Sequence, residues 1–167
     1  ELAQTLPGSR EDMDEFLEGV CLAEIDDWFY DLLRCYLEDR EEELVHTFLS
    51  FAEKHYRSID HPVAVAYRFK PLSDEWIVGL YHDILEDTDL TTEELEQFLN
   101  RHNKRHLLDA IIEITRKPDE TYMDYIARLD GIAKTVKIAD IEDHLDRKET
   151  LKTSLHKRDQ NALKILK

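Results

Sequence analysis

Residues 15–57 read EFLEGVCLAEIDDWFYDLLRCYLEDREEELVHTFLSFAEKHYR, and their spacing is helical from end to end. Phe16, Val20, Trp28, Leu32, Cys35, Tyr36, Phe48 and Phe51 recur near a 3.6-residue period, with acids on the other face. Bends are expected near Ala23 to Asp27 and Glu38 to Glu42, giving two or three helices rather than one rod. Just upstream, Leu6-Pro7-Gly8-Ser9 is a start signal, with Ser9 as N-cap and Glu11 and Asp12 in the first turn. Cys21 and Cys35 lack metal-type spacing and are expected as buried thiols, which points to a cytoplasmic setting.

The pattern continues downstream in shorter pieces. Asp60-His61-Pro62 is a boundary, because proline suits the first helical position and disfavours helix before it. His61 therefore stands at the mouth of a helix carrying VAVAYRF. Pro71-Leu72-Ser73-Asp74 starts another, which turns Trp76, Ile77, Leu80, Tyr81 and Ile84 inward. Thr91 and Glu94 form a capping-box start for a helix through Asn100. LLDAIIEITR, TYMDYIARL and IAKTVKIADIEDHLD follow, with Pro118-Asp119 breaking the first from the second, and ALKIL closes the chain as a last helix or a fragment of one. No stretch alternates like a strand and nothing repeats. The expected fold is all-α.

Composition agrees. Four glycines and four prolines in 167 residues are too few for the turns of a sandwich or barrel. The length suits one compact domain with a real core. No apolar run approaches the roughly 18 residues of a membrane span, and no signal-peptide pattern opens the chain. A net charge of −16 argues against nucleic-acid binding, which needs a basic surface. Residues 1–46 carry fifteen acids against three Lys or Arg, while 147–167 carry seven Lys or Arg against two acids. Two solvated faces explain this; so does an acidic surface for a basic partner.

The chemistry concentrates in LYHDILEDTD, residues 80–89, where an apolar helical run closes in His82, Asp83, Glu86, Asp87 and Asp89. Acids at the C-terminal end of a helix oppose its dipole, so their presence asks for a reason. Neighbours on a helix diverge by about 100°, so His82 and Asp83 reach one ion only if it lies between them. Glu86 and Asp87, each four residues on, stack above them. Asp140 lies in VKIADIE beside Val136, Ile138, Ala139 and Ile141, and a buried carboxylate needs a partner, either Lys137 or a metal. Plainer readings stand beside this: His61 as a turn residue, His82 as a satisfied core histidine, and Asp89 serving the helix that opens at Thr91. A His/His/Asp/Asp set with oxygen-rich surroundings suits Mn²⁺, Fe²⁺ or Zn²⁺ and leaves positions open for water.

The spacing H-x20-HD-x56-D, with the words HPVAVA (61–66), YHDILEDT (81–88) and VKIADIEDH (136–144), resembles the HD phosphohydrolase superfamily. Within it, these words are similar to the hydrolase domain of the RelA/SpoT alarmone enzymes and their small single-domain relatives, and ITRKPDETYMDYIARL is similar to the segment before their last motif. The similarity covers roughly residues 46 to 146. It implies a compact HD-domain helical bundle and a Mn²⁺-dependent 3′-pyrophosphohydrolase of (p)ppGpp. His61, His82, Asp83 and Asp140 match the metal ligands, and Glu86 and Asp87 match the pair that orients and deprotonates the attacking water.

Three departures fall on substrate recognition. The family's longer basic stretch before the first histidine shrinks to HYRSID, leaving Arg57 as the candidate cation. His144 stands where the family has asparagine, still able to bond a ribose or base. The Lys-Tyr pair near the family's C-terminus has no clear counterpart. Lys137 either helps bind phosphate or simply pairs with Asp140. Other HD nucleotide phosphohydrolases, acting on a 5′-monophosphate, a dNTP or NADPH, and a degenerate HD binding or antitoxin module are the alternatives. Residues 1–45 lie outside the similarity and are expected as an acidic helical hairpin packed on a 46–167 core, or as a surface for a homodimer or basic protein partner.

Overall fold

A computed structural model describes residues 27–146 and 153–167, with side chains from Arg34 to Asp146 and from Leu155 onward. Ser9, Cys21, the bend at Ala23 and most of the expected N-terminal hairpin lie outside them. The described residues are all-α, with no strand among them. None of their helices is long and apolar enough to cross a membrane. The chain divides into two compact units between His46 and Thr47.

The first helix, α1 (Asp27–His55), is uninterrupted, so the expected bend at Glu38 to Glu42 is absent. Charge density alone does not break a helix, and Glu and Arg are strong helix formers. Cys35 is exposed rather than buried. Helical spacing placed it near the apolar stripe but did not fix the stripe's width.

In the second unit, Phe48 and Ala52 of α1 are wholly buried. Phe48 meets Trp76 and Phe98 edge-on, with ring centroids 6.3 and 5.5 Å away. The Tyr81 hydroxyl donates to the Phe48 carbonyl at 2.9 Å, so the buried phenol is satisfied. Around this aromatic group run α2 (Asp60–Ala66), α3 (Asp74–Tyr81), α4 (Ile84–Asp87), α5 (Thr92–Arg101), a 3-10 turn (Arg105–Leu107), α6 (Leu108–Ile114), α7 (Tyr122–Arg128), α8 (Gly131–Asp146) and α9 (Thr153–Leu166). Trp76, Ile77, Leu80, Tyr81 and Ile84 all point inward and are wholly buried. Each such side chain contributes on the order of 1.5–3 kcal/mol through apolar burial.

Local chemistry fixes the helix starts. Ser73 accepts from the Trp76 N–H and caps α3, while Thr91 and Glu94 close a full capping box on α5. Thr121 caps α7 by accepting from the Asp124 N–H. Helix α2 begins at Asp60, so Pro62 occupies its third position and His61 its second. The closing segment is a helix of 14 residues, longer than ALKIL alone suggested.

Helix α8 is the hub, packing on α2, α3, α6 and α9. Gly79 of α3 lets α2 approach closely: a Cβ there would meet the Ala66 Cα at 3.1 Å. That contact holds the end of α2 against the last turn of α3.

Candidate metal centre

The helical run through LYHDILEDTD is broken where the histidine and aspartate stand. Helix α3 stops at Tyr81, and α4 starts at Ile84 with Asp83 as its N-cap. The cause is local. A continuous helix would give the Gly79 carbonyl to the Asp83 N–H, but that carbonyl accepts from His82 Nδ1–H at 2.7 Å. Glu86 and Asp87 consequently lie in the first turn of α4 rather than at the tail of a longer helix. The dipole conflict expected from the sequence does not arise in that form.

Because a carbonyl can only accept, the proton of neutral His82 sits on Nδ1 and Nε2 presents a lone pair. This ring is wholly buried. Its Nε2 lies 2.8 Å from Asp83 Oδ2 and 3.7 Å from Asp140 Oδ1. His61 is arranged alike: Nδ1 faces Asp143 Oδ2 at 3.0 Å, and Nε2 stands 3.0 Å from Asp140 Oδ1 and 3.9 Å from Asp83 Oδ2. Asp140 in turn directs Oδ2 to Lys137 Nζ at 2.6 Å. Its other oxygen, together with Nε2 of His61 and of His82, is buried without a hydrogen-bond partner.

Three orphaned buried atoms converging on one point cost stability unless something fills it. Two imidazole nitrogens and carboxylate oxygens are the donor set of a divalent transition ion. His61, His82 and Asp83 bring ligand atoms within 4.8 Å of one another, as do His61, Asp140 and His144. The residues present fit a metal.

Electrostatics point the same way. Burial pushes the Asp140 carboxyl up, but Lys137 and the imidazoles outweigh it and hold it well below the usual range. Asp83 is likewise lowered, with His82 overcoming burial. Burial lowers His82, yet Asp83 and Asp140 raise it on balance. Both carboxylates are thus kept ionised despite burial by the lysine and imidazoles that face them. Lys137 is itself raised despite burial, chiefly by Asp140, and its ammonium is committed to that carboxylate.

Beside the ligands lies a cleft of about 350 Å³ lined by His55, Tyr56, Arg57, Glu86, Asp87, Thr88 and Asp89. Arg57, Glu86 and Asp87 therefore share one cavity. Glu86 Oε1 accepts the Arg116 N–H at 2.6 Å. Burial, then the charge of Asp83, pushes the Asp87 carboxyl up. Burial, aided by Lys54, lowers His55.

His144 lies outside this cleft lining. Its ring stacks on His61, and its Nε2 is 3.6 Å from Asp140 Oδ1. Sequence reasoning missed three residues. Asp143, buried behind His61, follows Asp140 by one turn on an apolar helix, and that spacing was a usable signal. Asp159 is wholly buried in α9, but its basic neighbours Lys157 and Arg158 disguise it as a surface residue. Tyr56, in the shortened HYRSID, has a buried hydroxyl without a partner; burial and then Asp83 push it well above its usual value. No protein-family model and no curated protein sequence matches the chain.

Proposed function

We propose that the chain is a metal-dependent phosphohydrolase of nucleotides, with (p)ppGpp as the leading substrate and release of 3′-pyrophosphate as the reaction. One observation carries the hydrolase reading: the buried, unpartnered Nε2 of His61, Nε2 of His82 and Oδ1 of Asp140 converge beside a cleft lined by the carboxylates of Glu86, Asp87 and Asp89. The alarmone rests on the sequence words HPVAVA, YHDILEDT and VKIADIEDH.

His61, His82, Asp83 and Asp140 would hold the ion, with Mn²⁺ as the expected metal and another divalent transition metal as the alternative. A bound ion supplies a water acidified by several pK units and an electrophile for phosphate oxygens. The chain's own groups do the rest. Asp87, with its carboxyl raised, is a stronger base than an ordinary aspartate and can take a proton in the cleft. Glu86 is fixed through Oε1 by the Arg116 N–H, which leaves Oε2 to orient the attacking water. Arg57 offers the cleft a guanidinium for phosphate. Lys137 keeps Asp140 ionised and in place.

A second reading follows from the cleft's charge. Arg57 is the one arginine or lysine among its lining residues, against three acids. That balance suits a substrate with fewer phosphates, so another HD-type nucleotide phosphohydrolase competes with the alarmone enzyme. Incubation with Mn²⁺ and a panel of ppGpp, NADPH, dNTPs and nucleoside monophosphates, resolved by ion exchange, decides among them. Pyrophosphate from ppGpp is the expected product. Its absence removes the alarmone, and inertness across the panel points to a binding module instead.

A further inference from the structure

Two imidazoles stand side by side over Asp140. The rings of His61 and His144 lie 4.8 Å apart with planes 13° from parallel. Each turns Nε2 toward the same atom, Asp140 Oδ1, at 3.0 and 3.6 Å. Each also has a carboxylate behind Nδ1, Asp143 at 3.0 Å and Asp159 at 4.0 Å. The resemblance is chemical as well as geometric, because a carboxylate bonded to Nδ1, as Asp143 is in His61, holds the proton there and leaves Nε2 bare.

Asp159 supports this independently. It is wholly buried, yet only Oδ1 is used, by Arg158 Nε at 3.0 Å and the Tyr122 hydroxyl at 3.5 Å. Oδ2 is buried without a partner. A buried carboxylate oxygen needs a donor, and a slight turn of His144 brings its Nδ1–H into bonding distance. That same proton leaves Nε2 facing Asp140 Oδ1, lone pair against lone pair. A cation between the two makes the arrangement favourable.

The ligand groups His61/His82/Asp83 and His61/Asp140/His144 share His61. Its Nε2 has one lone pair and binds one ion. We propose that His144 is a further ligand of that ion and that Asp159 of α9 is its positioning residue. The inference rests on the metal-hydrolase reading above. Three imidazoles with two carboxylates form a nitrogen-rich set, which favours Co²⁺, Ni²⁺ or Zn²⁺ over Mn²⁺.

The test is Co²⁺ titration of the full chain, followed by calorimetry and by the visible absorption of the bound ion. Wild type is expected to take one equivalent. His144→Asn should bind Co²⁺ at least about tenfold more weakly with a changed spectrum, and Asp159→Asn about 10–100-fold more weakly, as for other partners that orient a ligand. Mn²⁺ affinity should fall less. If His144→Asn matches wild type while Asp83→Asn loses the ion, the role of His144 is overturned and the metal site stands. An unchanged Asp159→Asn overturns the positioning half. A wild type that binds neither Co²⁺ nor Zn²⁺ overturns the site reading and this inference together. Independently of any variant, Zn²⁺ should shift the His144 Nε2 resonance of ¹⁵N-labelled wild type with those of His61 and His82; a stationary resonance overturns the proposal.

Discussion

Asp140 divides its two oxygens: Oδ2 holds Lys137, and Oδ1 faces the point where the imidazoles meet. Truncation to alanine therefore removes more than a ligand. It leaves the half-buried Lys137 ammonium without its partner, which costs about 3–5 kcal/mol when a buried pair is broken. Asp140→Ala should show a large drop in denaturation midpoint even without metal, measurable by urea titration. Asp143 makes the complementary case. Asp143→Asn should leave the melting temperature of the metal-free protein nearly unchanged but weaken metal binding about 10–100-fold by releasing His61, read by calorimetry. If metal affinity is unchanged, Asp143 does not orient the ring. The sequence made Asp140 legible because an acid inside an apolar helix stands out. Asp159 was hidden because the pattern of a basic, partly apolar helix does not reveal which side faces a neighbour.

At the scale of elements, the helix starts at Ser73 and Thr91 were readable because caps are local chemistry, satisfied within four residues. The break at His82 and Asp83 was not. No glycine or proline marks it; it comes from one side chain, the His82 imidazole, taking a backbone carbonyl. The absent bend in α1 is the converse, where dense charge suggested an interruption that the backbone had no reason to make. Gly79 carries a further prediction. Its Cβ position meets backbone atoms of Ala66 at 3.1 and 3.4 Å, and backbone cannot rotate away as a side-chain tip can. Gly79→Val should destabilise by about 1–3 kcal/mol through overpacking, despite valine's better helix propensity. Equal or higher stability by chemical denaturation would show that α2 and α3 can separate at no cost.

Across the whole molecule, Asp74 ties the first turn of α3 to the connection between α5 and α6, through Lys104 at 3.0 Å and His106 at 3.1 Å. Burial pushes its carboxyl up, but these cations outweigh that and hold it below 3.8. A depressed folded-state pKa contributes stability above the unfolded value, lost as pH falls through the folded one. The side chain is 36% exposed, so solvent screening limits the gain to about 1 kcal/mol or less. Melting curves of wild type and Asp74→Asn should differ at pH 7 and converge below about pH 3.8; a gap that widens in acid would contradict the linkage. The hub helix has a last consequence. Lys137, Asp140, Asp143 and His144 sit at steps of three and one along α8, and every residue turns the helix by about 100°. A single residue inserted among them would swing the later groups off the site while leaving each side chain chemically intact. This stretch of the chain should therefore accept exchanges of residue but no change of length, and surviving descendants should keep the count between Lys137 and His144 fixed.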